Sequence, residues 1–136
     1  MKSHVTKALL LSPPLMYGTA WKEEKTRELT LMALRLGCRA IDTANQRKHY
    51  FEAAVGEALQ DAYENGLVRR EEVFIQTKFT YQRGQDNRLP YDPQQPLDIQ
   101  VEQSFASSQT HLGTNVIDSY ILHGPSTGFG LTNDDQ

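Results

Sequence analysis

Arg39-Ala40-Ile41-Asp42-Thr43-Ala44 decides how this chain is read. The apolar pair Ala40-Ile41 runs straight into a carboxylate, which predicts a short buried strand over Cys38–Asp42 with Asp42 at its C-terminal end. The polar residues that follow predict a turn, and the pattern Val55, Ala58, Leu59, Ala62 predicts a helix over Tyr50–Glu64, stopped by Asn65-Gly66.

Upstream, Leu15–Thr19 reads as a brief first strand ending near Gly18, with Trp21 on the loop behind it. Glu23–Leu36 reads as an amphipathic helix. Leu29, Met32, Ala33 and Leu36 fall at i, i+3, i+4 and i+7 and predict its buried face, and Gly37 predicts its stop. The apolar run Ala8–Leu11 is broken by Pro13-Pro14 and is too short for a membrane span or a signal-peptide core.

Downstream, Val73–Lys78 predicts a third strand, apolar until its last residues. Residues 80–96 form a long loop carrying Gly84, Pro90, Pro93 and Pro96, expected to be flexible or functional. Leu97–Leu112 predicts a third helix with Leu97, Val101, Phe105, Ser108 and Leu112 on one side, and Val116–His123, rich in β-branched and aromatic residues, predicts a fourth strand. Thr132 followed by Asp134 and Asp135 has the form of a helix N-cap with an acidic first turn. Strand–helix alternation of this kind predicts a parallel sheet with right-handed crossovers. The units fit either a small open α/β sheet or the first half of an eight-stranded barrel, a fold of about 250 residues.

The totals narrow the function classes. The 136 residues suffice for one domain with a core. A net charge of -3 gives no general attraction to nucleic acid or to an anionic membrane surface, so neither is expected as a partner. Cys38 is the lone cysteine, which excludes an internal disulfide and suits a cytoplasmic setting. His4, His49, His111 and Cys38 show no metal-ligand spacing, so no metal is expected. The glycines of residues 124–130 match neither a P-loop nor G-x-G-x-x-G.

Asp42, Lys78 and His123 share a position rule. Each lies at or beside the C-terminal end of an apolar strand, the side of a parallel α/β sheet where active sites form. Singly, each has a plain structural reading: Asp42 caps a turn, Lys78 is a solvated strand end, His123 is a hydrogen-bonding residue before Gly-Pro. Tyr50, within reach of the same face, has a packing reading as well. Together the set supports carbonyl reduction or its reverse. A tyrosine, with an ordinary pKa of about 10, donates a proton to the carbonyl oxygen if an ammonium (Lys78) favours its phenolate. Asp42 holds that lysine, His123 orients the carbonyl, and a cofactor must supply hydride because no side chain does.

Met16–Trp21, Gly37–Ala44, Val55–Leu59, Phe74–Lys78 and Asp118–Pro125 resemble, in order, segments of the aldo-keto reductase family. The resemblance covers about residues 15–125 and implies a (β/α)8 TIM barrel that uses NADPH, or NADH, to reduce aldehydes and ketones. On that basis the chain is expected to be the N-terminal half of such a barrel, the first four strands and three helices, lacking the segments that grip the cofactor's pyrophosphate and adenosine. The implied catalytic tetrad is Asp42, Tyr50, Lys78 and His123. Gly18, Thr19, Ala20 and Asp42 are the implied cofactor contacts, and Trp21 with His123 would line the pocket for a small carbonyl substrate. The family's aspartate-to-tyrosine spacing of about five residues lands on Arg47, so Tyr50 requires a small insertion between Asn45 and Lys48. The alternative is a non-catalytic half-barrel fragment or a partner-binding remnant. Unpaired first and fourth strands predict self-association through exposed edges.

Overall fold

A computed structural model describes residues 15–127 and 129–136. The Ala8–Leu11 run and Pro13-Pro14 lie outside them. Strand β1 (Tyr17–Gly18) leads through a 3-10 turn, Glu23–Lys25, into α1 (Thr26–Arg35). Then come β2 (Ala40–Asp42), α2 (Glu52–Glu64), β3 (Phe74–Phe79), α3 (Leu97–Leu112) and β4 (Ser119–Leu122). The sheet order is β1-β2-β3-β4 and every pairing is parallel.

That order separates the two architectures left open by the sequence. A doubly wound sheet reverses its strand order at a switch point. Here each strand lies beside its predecessor, α1 packs on α2, and α2 on α3. This is the single winding of a (β/α)8 barrel over its first four strands and three helices.

The core lies between sheet and helices. Leu34, Ile41, Val55, Leu59, Val68, Val73, Ile75 and Leu112 are its largest apolar members. All four apolar residues expected on α2 are buried, but the helix begins at Glu52, because residues 47–49 form a turn and Tyr50 is irregular. Strands β1, β2 and β4 are shorter than expected, and β3 extends to Phe79.

The expected face of α1 is corrected. Thr26, Thr30 and Leu34 are its buried residues, whereas Met32 and Leu36 are 46% and 82% exposed and Leu29 and Ala33 half-buried. Apolar periodicity picks the stripe richest in methyl groups. Packing uses the stripe whose small threonines let the helix approach closely, with Thr26 Oγ1 donating to Glu23 O at 2.7 Å. On α3 the buried residues are Ser104, Ser108 and Leu112; Leu97, Val101 and Phe105 are half-buried.

The 80–96 loop is fastened at several points. It contains the 3-10 turn Gln82–Gly84, and Tyr91 is buried with its hydroxyl donating to Thr80 O at 2.7 Å. Gln85 Nε2 donates to Asn45 O at 2.9 Å, and Gln46 Nε2 to Gly84 O at 2.6 Å. Near the end, Thr132 and Asp135 form the expected capping arrangement around the 3-10 turn Asn133–Asp135.

Candidate active site

Sheet register brings the polar strand ends together. Gly18 pairs with Asp42, Asp42 with Gln76, and Gln76 with Ser119. Gln76 and Lys78 are two residues apart on β3 and so share one face, opposite Thr77. Both reach Asp42. Lys78 Nζ donates to Asp42 Oδ1 at 2.7 Å, to Oδ2 at 2.8 Å and to Thr43 O at 2.8 Å. Gln76 Nε2 adds a 2.8 Å bond to Asp42 Oδ1 and its Oε1 accepts from Ser119 Oγ at 2.9 Å. The lysine is 8% exposed, so its charge is compensated where water is scarce.

Tyr50 stands over this pair. The Lys78 ammonium lies 4.8 Å from the centroid of its ring, and the ring meets His123 edge-on at 5.8 Å between centroids. Asp42, Lys78, Tyr50 and His123 therefore form one cluster at the C-terminal ends of β2, β3 and β4. Arg47, the residue at the family's usual spacing, is elsewhere: it pairs with Glu23 at 3.0 Å and its guanidinium covers the Phe51 ring at 3.9 Å. The turn between Asn45 and Tyr50 places the tyrosine, not Arg47, beside the lysine. His49 N and Tyr50 N both donate to Gln46 O, at 3.1 and 2.9 Å.

His123 is held from β3. Its backbone N–H donates to Phe79 O at 2.8 Å, and its Nδ1 lies 2.9 Å from Thr80 Oγ1. Burial, and next the Lys78 ammonium, hold the imidazole below its ordinary 6.5; His49 acts in the same direction and Asp42 opposes them. The ring is thus neutral near pH 7.

The segment after β1 behaves unevenly. Thr19 is fully buried, and its N–H and hydroxyl both donate to Asp42 O, at 3.1 and 2.9 Å. Its polar groups tie β1 to β2. Gly18 has open space where a Cβ would stand, and Ala20 lines a cleft of about 460 Å³. Trp21 also lines it, at a positive φ of 61°, with its N–H donating to His49 O at 2.8 Å and its ring 4.1 Å from the His49 ring. Tyr50, His123, Thr80 and Arg83 also line this cleft.

Sequence reasoning missed Gln76, Thr80, His49 and Glu52. Gln76 was legible in principle, since it precedes Lys78 by two in a strand. Glu52 signals nothing by spacing, because its partners come from two distant elements, β3 and α3. It is 3% exposed, takes the hydroxyl of Thr77, accepts from Ser108 Oγ at 3.1 Å, and meets His111 Nδ1 at 2.8 Å. Asn45 Nδ2 joins the group through Ser108 Oγ at 3.3 Å. This buried network fastens the outer side of β3 to the start of α2, two residues past Tyr50. Among the described residues, no helix is long and apolar enough to cross a membrane.

A singly wound parallel β/α sheet with its polar cluster at the strand C-termini defines the (β/α)8-barrel class. The profile of the Aldo/keto reductase family matches residues 14–129, and the chain belongs to that family. It is 48% identical over 78 residues to the NADP-dependent D-sorbitol-6-phosphate dehydrogenase of Malus domestica, covering 56% of this chain and 24% of that protein. It is 32% identical over 111 residues to the aldo-keto reductase AKR2E4 of Bombyx mori, covering 79% and 32%. The crystal structure of that silkworm enzyme in complex with NADP superposes with a TM-score of 0.63 at 29% identity, over 90% of this chain and 36% of the other. The chain thus spans about a quarter to a third of the length of these relatives.

Proposed function

We propose that the chain carries the chemical half of a carbonyl reductase site, with Tyr50 as proton donor, Lys78 and Asp42 as its electrostatic support, and His123 as the group that orients the carbonyl. The observation that carries this reading is the Lys78 ammonium, locked by Asp42 and lying 4.8 Å from the centre of the Tyr50 ring. A small aldehyde or ketone is the proposed substrate class. NADPH is proposed over NADH because the apple relative is named NADP-dependent and the silkworm structure contains NADP.

The residues present fit the nicotinamide end of such a cofactor. Open space over Gly18, and the cleft that Ala20 lines together with Tyr50, support room for a flat ring. Thr19 contributes indirectly, since its donors are spent on Asp42 O. When bound, the cofactor supplies two electrons as hydride to the carbonyl carbon. Tyr50 Oη gives its proton to the carbonyl oxygen and is left as phenolate. The Lys78 charge stabilises that phenolate through space, because its N–H groups are directed at Asp42 and Thr43 O. A neutral His123 whose Nδ1 accepts from Thr80 Oγ1 keeps Nε2–H free to donate to the carbonyl oxygen. The lone cysteine, Cys38, is free, and supports a reducing, cytoplasmic setting.

Titration of NADPH fluorescence against the chain tests the reading. Saturable binding below about 1 mM is expected, and its absence refutes the reading for this chain. Tyr50→Phe is expected to lower aldehyde turnover by about 10²- to 10⁴-fold while NADPH affinity holds; unchanged turnover moves the proton donor elsewhere. The exposed stripe of α1 favours a second reading, in which the chain binds a partner, and the association experiment below addresses it.

A further inference from the structure

We propose that the cleft selects carbonyl compounds bearing a distal anionic group, a carboxylate or a phosphate, and that Arg83 is the residue that selects them. The inference rests on the reductase reading for the carbonyl end of the ligand, and on the cleft alone for the other end. The cleft has the size of a small-molecule site. Its lining includes Arg83, His49 and His123 and no carboxylate. Asp42 is occupied with Lys78 and Gln76. Asp134 and Asp135 act on the Tyr81 hydroxyl and lie outside the lining; Asp135 is taken up by Thr132 and Ser126.

The arginines of this neighbourhood differ in one respect. Arg47 is paired with Glu23, and Arg88 with Asp86. Arg83 has no ion pair or hydrogen bond among the described residues. Its guanidinium is uncommitted at the wall of the cleft that Tyr50 and His123 also line. Nor is Arg83 on a loose segment. The turn Gln82–Gly84 is closed by Gly84 N to Tyr81 O at 2.9 Å and gripped by Gln46 Nε2 on Gly84 O at 2.6 Å. Gly84 packs so tightly on Thr80 that an added Cβ would meet Thr80 Cγ2 at 2.8 Å, and Thr80 is the partner of His123. One short stretch, Thr80–Gly84, thereby fixes both the imidazole for the carbonyl and the arginine for the anion. A planar guanidinium suits either oxyanion through paired N–H donors.

The test compares matched ligands on the full chain by the ring resonances of His49 and His123. Levulinate is set against its methyl ester, and dihydroxyacetone phosphate against dihydroxyacetone. The charged member of at least one pair is expected to bind about three- to fivefold more tightly, the scale of a partly solvated ion pair. The pair that shows it identifies carboxylate or phosphate. Arg83→Gln is expected to bring that ratio to about one, and Arg88→Gln, outside the cleft, to preserve it. Equal binding within both pairs, or a ratio that survives Arg83→Gln, overturns the proposal. Binding is read without NADPH, so the two readings fail separately. Charged ligands held through Arg83 by a chain that takes up no cofactor would sink the reductase reading alone. Reduction of charged and neutral members with equal efficiency would sink the selectivity alone.

Discussion

Replacing Gly56 by alanine probes how α2 and α3 hold the site in register. A Cβ built on Gly56 falls 1.8 Å from His111 O, 2.8 Å from His111 C and 3.1 Å from Leu112 Cα. All three are backbone atoms of α3, so no change of rotamer relieves the contact. Moving the closest from 1.8 Å out to the 3.0 Å that side chains tolerate opens the helix pair by at least 1.2 Å. On a solvent-facing helix the same substitution would gain about 1 kcal/mol in helix propensity. Here overpacking costs about 3 kcal/mol, the upper part of its usual range, because Val55, Leu59 and Leu112 are fully buried beside the contact and shift with it. The net is a loss of about 2 kcal/mol, or about 6–12 °C in Tm for a chain of this length.

The same opening reaches the site. Glu52 Oε1 and His111 Nδ1 are 2.8 Å apart across these helices, and separating them by 1.2 Å breaks the bond. Thermal melting by circular dichroism gives the stability change, and the His111 ring resonances report the lost bond. A Tm equal to or above that of the parent chain would show that the helices are not in contact through Gly56, and the packing described for α2 and α3 would fall with it.

Lys78→Met leaves Asp42 with Gln76 as its side-chain donor in a site only 19% exposed at the aspartate, and is expected to cost about 2–3 kcal/mol in urea unfolding; adding Asp42→Leu should recover part of that loss. The depressed pKa of His123 gives stability that is complete above 6.5 and declines as pH falls below it, since the unfolded chain then binds the proton more readily. His123→Gln should flatten that decline below pH 6.5, as read by unfolding at each pH. Sedimentation velocity is expected to show concentration-dependent self-association through the edges of β1 and β4 and the Met32–Leu36 stripe of α1, weakened by Leu36→Glu; a monomer at all concentrations would rule out a second copy of the chain as that partner.

Strands β2, β3 and β4 were legible as largely apolar runs with a polar residue at or beside their C-terminal ends, and that same pattern located Asp42, Lys78 and His123. Helix α2 was legible because its small and branched residues recur on one face and are all buried. Helix α1 was misread because its packed stripe contains two threonines, which carry little hydrophobic signal although both are fully buried. The turn from Asn45 to Tyr50 was legible only as a spacing anomaly. Its shape depends on Gln46, whose side chain is fixed by Gly84, a residue 38 positions away. Arg83 and Thr80 were illegible for the same reason, since a loop rich in polar residues gives no sign of which ones it turns toward a cleft.

Strand β3 holds the cluster from both of its faces. Its inward residues, Gln76 and Lys78, hold Asp42, and its outward residue Thr77 donates to Glu52 at the start of α2. Tyr50 is therefore positioned from both sides of one strand: by the lysine beneath its ring and by the helix start two residues on. Because Lys78 directs its donors at Asp42 and Thr43 O, its influence on the tyrosine is a charge effect, and such effects grow as water is excluded. Trp21 and His49, stacked at the rim of the cleft, are placed to exclude it. Trp21 is nonetheless 70% exposed, which leaves its ring open to a ligand in the cleft. On the proposed reading, Trp21→Ala should weaken turnover more than it weakens folding, and equal losses would show that the ring only supports the fold.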